Sequence, residues 1–144
     1  MKRIFAILSI ILVSAFVAKA DERPIELKQM PKNAQQFVAQ HFASVPVMYA
    51  TVDREPLDTD YELRLEDGTK IDFDGSGRWT SVSNKRAGVS PKLLPDTITS
   101  YVTKNYPQAH YIKIERESKS YEVKLSNGIE LEFSLSGKLI GFED

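Results

Sequence analysis

The side chains best suited to chemistry are few in this sequence and lie far apart. His41 and His110 are its only histidines, and it contains no cysteine. The two histidines lack the close spacing that places two imidazoles on one helix face around a zinc ion. The sequence also lacks Gly-x-Ser-x-Gly, the turn that exposes a catalytic serine in many hydrolases. We therefore expect no catalytic residue, no metal site and no cofactor, and we predict that the protein is not an enzyme.

Carboxylates offer a second kind of chemistry, which is the binding of calcium. Asp72, Asp74 and Ser76 are spaced like the first ligands of a helix-flanked calcium loop. The twelfth position of such a loop needs a bidentate carboxylate, and it is Ser83 here. Turn chemistry explains the segment from Asp74 to Gly77 without a metal. The alternative function is that of a small-ligand or calcium sensor built on the acidic residues Asp72, Asp74, Glu130 and Glu132.

Two hairpins are expected to position these side chains. From Tyr121 to Phe133, apolar residues alternate with polar ones, which is typical of strands with one buried face. Asn127-Gly128 in the middle predicts a tight type I′ turn, because both residues tolerate positive φ. The segment from Tyr61 to Phe73 shows the same pattern sixty residues earlier. The sequence therefore predicts two similar β-hairpins.

The surroundings of each hairpin are also similar. Apolar residues at helical spacing follow Pro31 and Pro95, and the segment 48–55 resembles the segment 110–117. Residues 30–83 and 91–144 are thus predicted to be tandem copies of a helix followed by four antiparallel strands. The predicted fold class is α+β, with about eight strands in one antiparallel sheet and both helices on one face. The opposite face is expected to stay open to solvent.

The N-terminus predicts export. Residues 1–20 combine a basic start, an apolar run and Ala18-Lys19-Ala20, which is typical of a signal peptide cleaved after Ala20. Residues 21–29 are expected to form a loose lead-in to a single domain, 21–144. Without the three basic residues of the signal peptide, 16 of the 19 basic residues remain against 20 acidic ones. This excess of acids argues against a nucleic-acid or membrane partner, and we expect a periplasmic or secreted protein.

The alternation also predicts which side chains occupy the open face. Tyr49 and Tyr111 are expected there, because their neighbours in sequence are apolar. If Ile140 and Phe142 enter the core, Leu139 and its counterpart Trp79 face solvent. Exposed tyrosine and tryptophan are typical of protein-binding surfaces, although they could instead pack across strands, and Trp79 could lie in the core. The predicted protein-binding residues are Tyr49, Trp79, Tyr111, Leu139, Arg64 and Lys124.

These elements together resemble a known family. Helices that open on Met30-Pro31 and Leu93-Leu94-Pro95, followed by the paired hairpins, resemble the PepSY-like, beta-lactamase-inhibitor-like family of small exported bacterial proteins. The resemblance covers residues 21–144 and implies tandem helix-plus-sheet repeats in an extracytoplasmic, non-catalytic binding protein. It also implies a sheet face that holds a protein partner, such as an envelope enzyme or peptidase. The contact residues and disulfides of the inhibitor itself have no counterparts here, so inhibition of beta-lactamase is not implied.

Overall fold

Each strand of the sheet pairs with the strands that precede and follow it in the chain. The computed structural model describes residues 22–144, so the predicted signal peptide and its cleavage after Ala20 lie outside the described residues. All nine strands run antiparallel in the order β1 to β9. Their bounds are β1 (Glu22–Ile25), β2 (Val47–Glu55), β3 (Asp58–Leu65), β4 (Lys70–Phe73), β5 (Trp79–Ser83), β6 (Tyr111–Arg116), β7 (Ser120–Leu125), β8 (Glu130–Ser134) and β9 (Leu139–Glu143).

Two α-helices lie in the two long connections of this meander. Helix α1 (Lys32–His41) connects β1 to β2, and helix α2 (Asp96–Asn105) connects β5 to β6. A proline with extended backbone caps each N-terminus, where a missing N–H leaves no hydrogen bond unmade. Each helix buries two residues four positions apart, which form one stripe on its surface. Neither helix is long and apolar enough to cross a membrane.

Both helices pack on the same face of the sheet, as predicted. In α1 the ring of Phe37 meets the ring of Phe73 edge-on at 5.8 Å, and in α2 the ring of Tyr101 meets Phe133 at 5.5 Å. The buried apolar residues of both helices and of the strands form one core. Burying one large apolar side chain contributes about 1.5–3 kcal/mol, so this shared core is the main source of stability. The predicted α+β class is confirmed.

The order of one helix followed by four strands occurs in both halves of the chain. The Asn33 amide donates a hydrogen bond to the Ser76 carbonyl at 3.2 Å, and the Thr97 hydroxyl donates one to the Ser136 carbonyl at 3.3 Å. Each bond ties the first turn of a helix to the turn before the last strand of its half. The origin of the halves by duplication stays a prediction.

The N-terminal segment differs from the prediction. Residues 22–25, expected as a loose lead-in, form β1 and pair with β2, which gives nine strands instead of about eight. Four residues with the sequence Glu-Arg-Pro-Ile are too short to show an alternating pattern. Their strand conformation results from pairing with β2, which would otherwise be an edge with unpaired backbone groups.

The hairpin turns are one residue longer than predicted. Leu125 and Ile129 still pair, and the Gly128 N–H donates to the Leu125 carbonyl at 3.0 Å. Gly128 has a φ of 90°, so the loop matches a type I turn followed by a glycine bulge, and the predicted two-residue type I′ turn is wrong. Asn127 contributes through its side chain, whose oxygen accepts a hydrogen bond from the Ile129 N–H.

Candidate functional site

The face opposite the helices, which we call the open face, carries two rows of opposite charge. The strand pairings place residues from successive strands side by side across the sheet. One row, the basic row, consists of Arg64, Lys70, Lys113 and Lys124. The other, the acidic row, consists of Glu62, Asp72, Glu115, Glu122 and Glu132. Strand β5 crosses both rows and contributes only small residues to them, Ser81 to the acidic row and Ser83 to the basic row.

Ion pairs join the two rows. Lys70 Nζ lies 3.4 Å from Glu62 and 3.7 Å from Asp72, and Lys113 is paired with Glu115. Lys124 instead pairs with Glu130, its cross-strand neighbour in β8, which is not part of the acidic row; its Nζ donates to the Glu130 carboxylate at 2.7 Å. The side chains of these lysines keep 35–44% of their surface exposed. Such half-exposed pairs contribute about 0–1 kcal/mol each, so a ligand can replace them at little cost.

Burial first, and neighbouring charges second, shift the pKa values of carboxylates in the acidic row. Burial, together with the neighbouring carboxylates of Glu115, Glu130 and Glu117, raises the pKa of Glu122. Burial also raises the pKa of Asp72, which Lys70 opposes. In β6 the hydrogen bond to Glu115 raises the pKa of Lys113. The raised pKa values mean that ionisation of these carboxyl groups is disfavoured, and a bound cation would favour the ionised form.

Among residues 22–144, one group of three carboxylates lies close enough together to hold a metal ion. Oxygens of Glu115, Glu117 and Glu122 all lie within 4.8 Å of one another. The acidic residues that the sequence suggested for a calcium or ligand sensor do not form such a group; they are Asp72, Asp74, Glu130 and Glu132. Asp74 accepts hydrogen bonds within its own turn from the N–H and hydroxyl of Ser76. Although its partial burial acts in the opposite direction, these bonds lower the pKa of Asp74, and its Oδ1 is the oxygen that accepts them.

A groove of about 630 Å³, which we call the seam groove, crosses the open face where the two halves of the sheet meet. It exists because β5 has only serines there, between longer side chains on both sides. Six of its lining residues are cations and one is an acid. The cations are Arg64, Lys70, Lys85, Arg86, Lys113 and Lys124. Arg64 and Lys124 are predicted from the sequence, whereas strand pairing brings Lys70 and Lys113 to the groove and the loop after β5 brings Lys85 and Arg86.

Three of the predicted binding residues do lie on the open face. Tyr49 is 43% exposed, pairs with Arg64 across β2 and β3, and its hydroxyl lies 3.5 Å from a Glu62 carboxylate oxygen. Arg64 and Lys124 line the seam groove. Their role in binding a protein stays a prediction.

The placement of Trp79 on the open face is wrong. Trp79 is 7% exposed and packs on the ring of Phe37 in α1, with 6.0 Å between ring centroids. The cause is a β-bulge, since Asp72 pairs with Ser81 but Phe73 pairs with Trp79. Thr80 is the extra residue, and it shifts the alternation by one position. The alternative that Trp79 lies in the core therefore holds.

Tyr111 is misplaced for a similar reason. It pairs with Leu125, while Lys113 pairs with Lys124, so Ile112 is an extra residue and Tyr111 turns into the core. Tyr111 is 7% exposed, and burial raises the pKa of its hydroxyl, which has no hydrogen-bond partner. The first half has an equivalent bulge, because Val47 pairs with Leu65 while Tyr49 pairs with Arg64. The counterpart of Tyr111 is therefore Val47, and the predicted match of 48–55 with 110–117 is two residues out of register.

A fourth bulge overturns the assignment in the last strand. Leu139 pairs with Phe133 and packs against the core, so its placement on the open face is wrong. Ile140 is the extra residue, and it is 55% exposed. Phe142, also expected in the core, is 53% exposed because β9 is an edge of the described sheet.

Each of the two histidines makes a packing or turn contact. The ring of His41 lies 4.7 Å from the ring of Phe37 in α1. The backbone N–H of His110, just before β6, donates a hydrogen bond to the Ser126 hydroxyl at 3.1 Å. Neither histidine belongs to the carboxylate group described above. Their surroundings are those of packing and turn residues.

Comparisons with known proteins agree with this architecture. The model of a family described as "putative beta-lactamase-inhibitor-like, PepSY-like" matches residues 17–68 and 59–141. No curated protein matches this sequence. The chain is similar to a solved structure from Bacteroides thetaiotaomicron, described as a "putative calcium-regulated periplasmic protein". The two are 44% identical over 86% of this chain and 98% of the other, with a TM-score of 0.83.

Two solved structures from Bacteroides vulgatus are also similar. The first, described as a "putative periplasmic protein", is 38% identical over 87% of this chain and 98% of the other, with a TM-score of 0.81. The second, described as a "putative periplasmic protein of unknown function", is 28% identical over 85% of this chain and 99% of the other, with a TM-score of 0.79. All three relatives therefore share the fold over nearly their whole length.

Proposed function

The chain belongs to the PepSY-like, beta-lactamase-inhibitor-like family, and from this premise we propose that it is a non-catalytic, extracytoplasmic module that binds a protein partner on its open face. The observation that carries the proposal is the asymmetry of the sheet. Both helices pack on one face, and no element within residues 22–144 packs on the other. Such a face is preformed, so binding requires little ordering of the backbone.

The open face has the size and chemistry of a protein interface. Nine strands about 4.8 Å apart, with about five residues each at about 3.3 Å per residue, present roughly 700 Å². This approaches the area of about 800 Å² that each partner contributes to a standard interface. Exposed Tyr49 supplies a rigid aromatic ring with a polar tip, a side chain enriched among interface hot spots. The charge rows supply electrostatic selectivity.

An envelope enzyme or peptidase is the proposed kind of partner. A rigid sheet face that covers the cleft of such an enzyme would inhibit it by excluding substrate, without chemistry of its own. The three solved relatives are described as periplasmic, which supports the compartment. The predicted signal peptide supports the same location.

Site-specific photo-cross-linking in the native envelope tests this proposal. A photoreactive amino acid replaces Tyr49 or Lys124 on the open face, and a control variant carries it at Lys104, which is exposed on α2. We expect the same protein adduct from both open-face positions and none from position 104. No adduct at positions 49 and 124, or an equal adduct at position 104, would contradict the proposal.

A second candidate function is calcium sensing. The cluster of Glu115, Glu117 and Glu122 favours it, as does the description of one relative as a "putative calcium-regulated periplasmic protein". Three carboxylates supply part of the six to eight oxygens that calcium takes, and water supplies the rest. Calcium there would neutralise part of the acidic row and so alter the charge of the open face.

Thermal unfolding distinguishes this candidate from the first. A cation that binds only the folded state raises the unfolding midpoint. We expect a rise with millimolar calcium chloride that Glu122→Gln abolishes and that the control Glu66→Gln, in an exposed turn, leaves unchanged. An equal rise with magnesium chloride, or none with either salt, would count against a calcium sensor.

A further inference from the structure

The seam groove concentrates positive charge on an acidic protein. Residues 21–144 hold 16 basic and 20 acidic residues once the three basic residues of the signal peptide are set aside from the total of 19. Six of these basic residues nevertheless line a single groove, with Asp72 as its one acid. The local charge is thus opposite in sign to the charge of the whole chain. A ligand of the groove must therefore be recognised locally and at short range.

The walls of the groove are held in place by backbone and by a buried amide. Asn84, which is 3% exposed, accepts hydrogen bonds from the N–H groups of Arg86 and Ala87 at 3.1 and 2.9 Å. Its amide nitrogen donates to the Asp67 carbonyl and the Thr69 hydroxyl. The loop that carries Lys85 and Arg86 is therefore fixed to the turn between β3 and β4. Its two cations belong to none of the ion pairs among the described residues.

The floor of the groove adds hydroxyl donors. Ser81 and Ser83 line it from β5, the strand that joins the two halves. A hydroxyl can donate one hydrogen bond to an anion. Cations at the walls and hydroxyls at the floor together suit carboxylate oxygens, which accept hydrogen bonds only.

We propose that the seam groove binds an extended acidic segment of a protein, with its carboxylates in contact with the basic row and with Arg86, which lines the same groove. The inference rests on the proposed function, because it names what the partner presents to the open face. From Arg64 to Lys124 the row crosses four strand spacings, or about 19 Å. An extended chain advances about 3.3 Å per residue, so six residues span the row. Every second residue faces the sheet, which gives three carboxylates in contact with it.

The acidic row excludes broader anions. It runs beside the basic row, two residues away along each strand, or about 7 Å. A nucleic-acid duplex or an anionic membrane would cover both rows and meet the carboxylates of Glu62, Glu115 and Glu122. Like charges brought together in this way oppose binding. A single acidic strand is narrow enough to follow the basic row alone.

Fluorescence anisotropy of a defined peptide tests the proposal with the chain 21–144. The probe is a fluorescein-labelled hexapeptide of alternating glutamate and serine, and a lysine–serine hexapeptide is the control probe. We expect the acidic probe to bind and to weaken as salt rises, because each contact is screened. The double variant Arg86→Gln/Lys113→Gln should bind it about tenfold more weakly, since two charge-assisted contacts are lost.

A matched variant makes the same change in net charge but leaves the groove intact. Lys104→Gln/Lys138→Gln removes two exposed lysines that lie outside the groove, and its affinity for the acidic probe should be unchanged. The proposal is overturned by equal weakening in both double variants or by no binding of the acidic probe. It is also overturned if inorganic phosphate or phosphatidylglycerol vesicles compete as effectively as the unlabelled peptide, because either result would assign the groove to a different anion.

Failure of the acidic-segment inference can be distinguished from failure of the proposed function by combining the peptide-binding and cross-linking tests. If the cross-link from position 49 survives in Arg86→Gln/Lys113→Gln, the partner uses the open face without the groove, and only the acidic-segment inference fails. If no cross-link forms but the acidic probe binds as expected, the protein-partner proposal fails while the groove keeps its anion specificity.

Discussion

The guanidinium of Arg116 lies over the indole ring of Trp79, 4.5 Å from the ring centroid. Its Nε also donates a hydrogen bond to the Trp79 carbonyl at 3.3 Å. Trp79 is in β5 and Arg116 in β6, so these contacts join the last strand of the first half to the first strand of the second. Only three residue pairs form the ladder between these strands. The pair therefore reinforces the short junction on which the seam groove depends.

Removal of this junction should destabilise the whole sheet. Trp79→Ala deletes a large buried side chain and should lower the free energy of unfolding by about 3–5 kcal/mol. Arg116→Ala loses a cation–π contact and should cost about 1–2 kcal/mol. Arg54→Ala, at an exposed position in β2, is the control and should change stability by less than about 0.5 kcal/mol. Urea unfolding measures all three, and a stable Trp79→Ala protein would contradict the core position of Trp79.

The hydroxyl of Tyr111 should be dispensable for folding. It is buried without a hydrogen-bond partner, and such a group costs about 1–3 kcal/mol. Tyr111→Phe should therefore leave stability unchanged or raise it by about 1 kcal/mol, whereas Tyr111→Ala should cost about 3–5 kcal/mol through the cavity that it creates. Urea unfolding is again the measurement. A clear loss of stability in Tyr111→Phe would show that the hydroxyl makes a hydrogen bond.

Gly77 should be required for the docking of α1. Its φ is 86°, and a Cβ there would fall 2.7 Å from the Pro31 Cβ and 3.1 Å from the Ala34 N at the start of the helix. Gly77→Ala should cost about 2–4 kcal/mol, from strain and overlap together. Gly128 provides the matched control, with a φ of 90° and no atom within 4 Å of a Cβ. Gly128→Ala should cost only the strain, about 1 kcal/mol. Equal losses in urea unfolding would show that helix docking does not need Gly77.

The acidic row should make stability depend on pH through Glu122. Its pKa is raised in the folded state, by burial first and by neighbouring carboxylates second. The folded protein therefore holds this proton more tightly than the unfolded chain, so ionisation of Glu122 weakens folding as pH rises through its raised pKa. Glu122→Gln should be more stable than the parent at pH 7, and the difference should vanish as pH falls to the ordinary range of a glutamate.

Thermal midpoints of parent and variant between pH 4 and 7 check this sign, with Glu66→Gln in an exposed turn as the control. The control should track the parent at every pH. A Glu122→Gln protein that is less stable at pH 7 would mean that the ionised carboxylate is stabilised in the fold, for example by Lys113 or Lys124, contrary to the expectation.

Local patterns in the sequence determined the fold class. The alternation from Tyr121 to Phe133 and the buried stripe of Ile98 and Val102 follow from the geometry of a single strand or helix. No information from distant residues is needed to recognise them. The one-sided sheet and the two helices that cover it could therefore be predicted from the amino-acid sequence alone.

Tertiary structure decided which side chains reach the open face and how they group. Bulges at Thr80, Ile112 and Ile140 shift the alternation, and their positions depend on how each strand pairs with its neighbour. For that reason Trp79 and Tyr111 lie in the core, although short-range alternation placed them outside. The basic row has the same origin, since its cations come from strands far apart in sequence and become neighbours only when the strands pair across the sheet.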